Sequence, residues 1–231
     1  MRNTAVVLML SLFGAPVPRG AVGAAREGVY GLSEVPATWD GTHGDRLATS
    51  TPDYDYTYGD EAALTYTLPW PFAYYGVEYR EINIDTNGNI WFTGTGSSHS
   101  FNLANTGRGP VISAWNEDLS SHYFGGAFVQ HKTNPERIVV EWYAEDYREE
   151  AYYFMNNFEV VLFPAGTARV DYKAFATEIG RDLGSGFSNG TADRVVSITS
   201  AFGKVHTLAG RSFSFAAVAP AATTRGVTGS R

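Results

Sequence analysis

The chain has 231 residues, a formal net charge of −7, 44% hydrophobic and 14% aromatic residues, and no cysteine. The acid excess argues against a nucleic-acid backbone or an anionic membrane surface as partner. The missing cysteines exclude disulfide staples and thiolate-bound metals, so stability must come from a Tyr-, Phe- and Trp-rich core, which a chain of this length can build in one domain.

Residues 1–24 read as a signal peptide. Arg2 supplies a short positive region, Ala5 to Phe13 form an apolar run too short to span a bilayer, and Val22-Gly23-Ala24 offers small residues for cleavage. A retained N-terminal anchor is the competing reading, but Pro16 and Pro18 break the run. Cleavage would move the charge from −7 to −9, because it removes Arg2 and Arg19 and no acid. The expectation is a mature chain that is secreted or held at the cell surface. A cysteine-free exported chain fits a bacterial protein of that kind.

Residues 25–59 are expected to be a loose N-terminal lead-in, with Pro36 and Trp39 as isolated anchors. Asp53 to Glu61 alternate acids with tyrosines, which suits an exposed edge strand or loop better than a metal or glycan site. From Ala63 the period-2 pattern becomes dense. Leu64 to Leu68 alternates, Pro69-Trp70-Pro71 stiffens its exit, and Tyr79 to Ile84 leads into Asp85-Thr86-Asn87-Gly88-Asn89, where Asn-Gly predicts a tight hairpin. Val111 to Trp115 is a short buried strand. Phe124 to Gln130 should pair with Arg137 to Tyr143, and Tyr153 to Phe163 with Ala168 to Phe175. Within the latter pair Phe158, Val160 and Leu162 share one face and Asn157, Glu159 and Val161 the other. Arg194 to Phe202 and Ser212 to Ala216 close the set. Without a helical period anywhere, the expected fold is all-β, a single-domain antiparallel β-sandwich over residues 60–216, followed by a disordered tail at 217–231.

Five pieces carry a resemblance: Pro71 to Gly76, Ile84 to Phe92, Val111 to Leu119, Arg137 to Trp142 and Asn157 to Leu162. In this order they resemble the nidogen-like (NIDO-type) extracellular β-sandwich, found also in bacterial secreted and surface proteins. Tyr172 and Gly186 to Asn189 look like its later strand and small-residue segment. The resemblance implies an adhesion, matrix or accessory module and brings no catalytic set with it. Glu117 stands here where the family usually has an aspartate.

The residues themselves leave several chemistries to weigh. Asp85, Asn87 and Asn89 are spaced like the opening of a calcium loop, but Ile90 occupies the position that needs glycine and Gly96 the one that needs a bidentate glutamate, so a hairpin turn explains them better. Asn116, Glu117 and Asp118 at a strand end could hold Ca2+ through oxygens; capping of the loop ranks ahead of the cation. Paired carboxylates could hydrolyse glycosides if two faced one groove, and Glu117, Asp118, Glu141, Glu145, Asp146, Glu149 and Glu150 qualify by type alone. His43, His99, His122, His131 and His206 are scattered, without zinc-helix spacing. Ser185 lacks the flanking pattern of a nucleophile elbow. Trp70, Trp91, Trp115 and Trp142 read as mostly core. Tyr147, Tyr152 and Tyr153 with Glu145 are the expected exposed ligand-binding group, suited to sugar rings or a protein partner. The leading expectation is a non-catalytic module that binds a surface polysaccharide or an extracellular protein. A self-associating surface-layer component and a sandwich-fold glycoside hydrolase are the alternatives.

Overall fold

The structure, a computed structural model, describes residues 29–41, 43, 45–46, 60–120, 125–147, 155–176, 184–199 and 204–218. The expected signal peptide, the tyrosine-acid stretch before residue 60, the tail beyond 218, and Tyr152 and Tyr153 lie outside these residues. The described residues form the strands β1 (Val29–Val35), β2 (Asp45–Arg46), β3 (Ala63–Tyr74), β4 (Val77–Asp85), β5 (Asn89–Trp91), β6 (Val111–Ser113), β7 (Leu119–Ser120), β8 (Gly126–Lys132), β9 (Arg137–Asp146), β10 (Asn156–Leu162), β11 (Ala168–Ala174), β12 (Ser185–Ser188), β13 (Val195–Thr199) and β14 (Arg211–Val218). They form two antiparallel sheets. The first runs β1-β14-β11-β10-β9-β8-β2 with β7 added on β9, and the second runs β13-β12-β6-β5-β4-β3. The fold is an all-β sandwich, and among the described residues no helix is long and apolar enough to cross a membrane.

The inward faces follow the alternation. Phe158, Val160 and Leu162 enter the core with Trp115, Trp142, Ile82, Ile84 and Phe187. Trp142 stacks on Phe158 at 5.5 Å and Trp115 meets the same ring edge-on at 5.9 Å, so one phenylalanine joins the two sheets. Each such side chain contributes roughly 1.5–3 kcal/mol by leaving water. Buried phenols are satisfied by backbone: Tyr74 donates to the Val111 carbonyl at 2.7 Å and Tyr172 to that of Ala114 at 2.8 Å. The pairing of edge strand β3 with β4 is interrupted between Thr67 and Phe72, and Pro69 and Pro71 in that stretch have no N–H to offer another strand.

The expected boundary at residue 60 is corrected. Residues 29–35 form β1, which pairs with β14 along its whole length. The segment after it is a strap over the outer face of the first sheet. There Glu141, Glu159 and Asp171 stand side by side on β9, β10 and β11, all buried. The strap meets them with its backbone: Asp40 N–H donates to Glu159 Oε1 at 2.8 Å, Gly41 N–H to Glu159 Oε2 at 2.6 Å and His43 N–H to Glu141 Oε2 at 2.7 Å. The Asp40 carboxylate spans Arg137 and Arg169, at 2.7 and 2.5 Å, and Lys132 donates to the Asp40 carbonyl. Burial raises the Asp40 pKa, but the two guanidinium groups outweigh it and hold the carboxyl below its ordinary range. Glu159 moves the other way. Burial and then the neighbouring Asp171 carboxyl raise it well above the usual glutamate range, against the pull of the Asp40 and Gly41 N–H groups.

Two predictions follow from this packing. A Cβ on residue 41 would lie 2.6 Å from carboxylate oxygens of both Glu141 and Glu159, so Gly41→Ala should destabilise by about 1–3 kcal/mol, read as a lower urea midpoint. Because Glu159 holds its proton more tightly folded than unfolded, its contribution to stability falls as pH rises above about 4.5. Glu159→Gln should therefore gain on the wild type between pH 5 and pH 8 in urea unfolding; parallel pH profiles for the two would contradict the assignment.

Candidate functional site

One end of the sandwich gathers the turn between β4 and β5, the residues just before β3, the loop after β5 and the segment joining β6 to β7. The turn is built on Asp85, whose carboxylate is fully buried. Its Oδ1 accepts the N–H groups of Asn87 at 3.0 Å and Asn89 at 2.9 Å. Its Oδ2 accepts the indole N–H of Trp91 at 2.7 Å and the amide of Ser98 at 3.4 Å, while Asn89 Nδ2 reaches both oxygens. Burial pushes the carboxyl up to about 7 against these donors. The calcium-like spacing is thus a self-contained turn, its acid satisfied by N–H groups instead of a cation. Gly88 is required there: its φ is +80°, and a Cβ would lie 2.4 Å from the Trp115 carbonyl.

Asn87 carries the turn outward to three other segments. Its Nδ2 donates to Glu61 Oε1 at 3.1 Å and to Ser97 Oγ at 2.9 Å, and its Oδ1 accepts the Leu119 amide at 2.8 Å. Asn89 Nδ2 also holds the Ser98 carbonyl at 2.9 Å, and Ser113 donates to Asn89 Oδ1 at 2.6 Å. From the opposite sheet, Trp142 donates its indole N–H to the Asp85 carbonyl at 2.7 Å. On the outer face of the second sheet, Trp91 sits with Phe101, Leu103 and Val111, and the Arg108 guanidinium lies 4.5 Å above its ring.

The two stretches singled out from sequence meet here. β7 pairs with the end of β9, and the Tyr147 amide donates to the Asp118 carbonyl at 2.9 Å. Tyr147 is exposed at 55%. Glu145, expected beside it on the surface, is buried at 5%, on the same face of β9 as Glu141 and in register with Ser120 of β7. Of the three residues expected as oxygen ligands, Asn116 turns inward and brackets Phe101 through both its amide atoms, to the carbonyl at 2.5 Å and from the amide at 3.4 Å. Glu117 is fully buried and accepts the amide N–H of the next residue, Asp118, at 3.0 Å. Asp118 alone turns outward, toward His99 and Glu61. His99 Nε2 is 3.2 Å from Glu61 Oε1 and its Nδ1 is 4.0 Å from Asp118 Oδ2. One ligand atom from each of Glu61, His99 and Asp118 can be chosen so that all lie within 4.8 Å of one another.

Sequence reasoning missed Glu61 and His99. The first reads as the last acid of a soluble stretch and the second as one of several scattered histidines, and only the loops' convergence on Asn87 brings them together. The acids of the sheet face, Glu141 and Glu159, lie beneath the strap instead of facing an open groove.

If Asp85 orders this end, Asp85→Asn should cost about 1–3 kcal/mol, since one amide nitrogen would then face N–H donors with nothing to accept it. The readout is the denaturation midpoint, together with loss of the slow-exchanging Trp91 indole signal in NMR.

A family profile described as NIDO related matches residues 30–228. Its span includes β1 and the strap as well as the strands that carry the resemblance. Comparison with curated proteins yields no match, and comparison with solved structures yields none. With all but the ends of the chain covered by one profile and a two-sheet sandwich behind it, the chain belongs to the NIDO-related family.

Proposed function

We propose that this protein is an extracellular, non-catalytic binding module that recognises a surface polysaccharide or an extracellular protein through the hairpin end of its sandwich. The observation that carries this reading is Tyr147: a large ring, 55% exposed, whose own amide is fixed to Asp118 beside an outward-facing imidazole and carboxylates. An aromatic body with hydrogen-bonding groups around it suits a sugar ring or a protein anchor, and a rigid base limits the entropy lost on binding. Family membership supports an extracellular setting. Glu141 and Glu159 are register-paired on adjacent strands and already take up strap N–H groups, which leaves no separation for a sugar and water between them. The prolines on the β3 edge give the surface-layer alternative no support at that edge.

The test is a survey of the purified chain against glycan arrays and extracellular protein fractions, repeated with Tyr147→Ala. The expected result is a ligand whose affinity falls about tenfold in the variant, the loss of roughly 1.4 kcal/mol typical of one aromatic anchor. Unchanged binding by the variant would move the site elsewhere. Turnover of a glycan that Glu141→Gln abolishes would replace the binding reading with a hydrolytic one.

A further inference from the structure

We propose that Glu61, His99 and Asp118 form a binding site for a divalent transition-metal ion of the Zn2+ type. The proposal deepens the binding reading above by placing a metal at the same end of the domain. The donor set chooses the class of ion. One imidazole with two carboxylates suits Zn2+ and its neighbours, whereas Ca2+ seeks six to eight oxygens and Mg2+ an octahedral oxygen shell. Ligand atoms around a tetrahedral zinc lie roughly 3.4 Å apart. The present separations, within 4.8 Å, are thus closed by small rotations of the side chains. Those side chains are 47%, 30% and 16% exposed for Glu61, His99 and Asp118, which leaves them room to rotate and leaves the cluster open to solvent.

A second feature supports the site from outside it: the hairpin turn clamps the chain at or immediately beside every ligand. Asn87 Nδ2 holds Glu61 itself. Ser98, the neighbour of His99, is fixed by Asp85 through its amide and by Asn89 through its carbonyl. Leu119, the neighbour of Asp118, is fixed by Asn87 through its amide. Three segments distant in sequence are thereby positioned on one rigid base, the arrangement by which outer-shell contacts preorganise metal ligands. Among the described residues, the ion pair of Glu61 runs to His99. Among the described residues three ligands are present, and an oxygen of a sugar or of a partner's carboxylate can fill the fourth position of a tetrahedral site.

The experiment is isothermal titration of the chelator-stripped, purified chain with ZnCl2 and, separately, CaCl2. The expected result is one Zn2+ per chain with a dissociation constant in the micromolar range or tighter, weakened at least about tenfold by His99→Ala, Glu61→Gln and Asp118→Asn. His131→Ala, at an exposed histidine paired with Glu136 away from the cluster, should bind as the wild type does. Near-UV circular dichroism confirms that each variant is folded, and His99→Gln replaces His99→Ala if the latter is not. No heat with Zn2+, unchanged affinity in the folded His99 variants, or Ca2+ binding as tight as Zn2+ would overturn the proposal. Zn2+ binding that follows the three ligands, in a chain for which no glycan or protein ligand is found, upholds the metal site and defeats the broader binding reading. A ligand bound by a chain that takes no Zn2+ does the reverse.

Discussion

A carboxylate that accepts only N–H donors in the interior organises this domain. Asp85 ends β4, and its two oxygens collect the amides of Asn87, Asn89 and Ser98, the Asn89 side chain and the Trp91 indole. A buried acid is expensive unless every lone pair is used. Here each contact made to satisfy it also fixes a piece of the site. The turn shapes the hairpin, the indole bond sets β5, the Ser98 bond anchors the loop after it, and the Asp85 carbonyl receives Trp142 from the other sheet. Asn87 and Asn89 relay that order outward to Glu61, Ser97, Ser98 and Leu119. The order of this end of the molecule is therefore a consequence of how one buried acid is accommodated.

The second set of buried acids solves the same problem differently. Glu141, Glu159 and Asp171 lie in a row across three strands, where like charges at register-paired positions repel. The strap supplies backbone N–H groups to two of them. Arg169 pairs with Asp171 at 2.8 Å and reaches Asp40 in the strap, while burial and the Asp171 carboxyl beside it raise the Glu159 pKa well above the usual glutamate range. The N-terminal segment is thus part of the fold. Three acids that could have suggested catalysis are committed to holding it down.

Much of the architecture was legible in the sequence because alternation reports a strand's buried face directly. Phe158, Val160 and Leu162 point where the pattern says, and Asn87-Gly88 makes the predicted turn. β1 and the strap were not legible, since β1 puts only Tyr30 and Leu32 against the core and the strap is held by backbone N–H groups and the Asp40 carboxylate, which leave no side-chain period. Their trace lay elsewhere, in Glu141 and Glu159 placed inside otherwise apolar strands, each demanding a partner. The site was half legible. Asp118 and Tyr147 stood out as a strand-end acid and an aromatic in a polar segment, and β7 joins them. Glu145 lies on the covered face of β9, which alternation with Glu141 could have indicated. Glu61 and His99 come from separate loops, and no local pattern reports that two loops end beside the same asparagine.

The central claim is that the Asp85 turn is ordered as firmly as the core and presents the site on a rigid base. Native-state amide hydrogen exchange tests it most directly. The amides of Asn87, Asn89, Ser98 and Leu119 should exchange only through the opening that releases the β9 and β10 amides, with the same free energy within about 1 kcal/mol. Exchange of these four through a local opening, while β9 and β10 stay protected, would contradict the account.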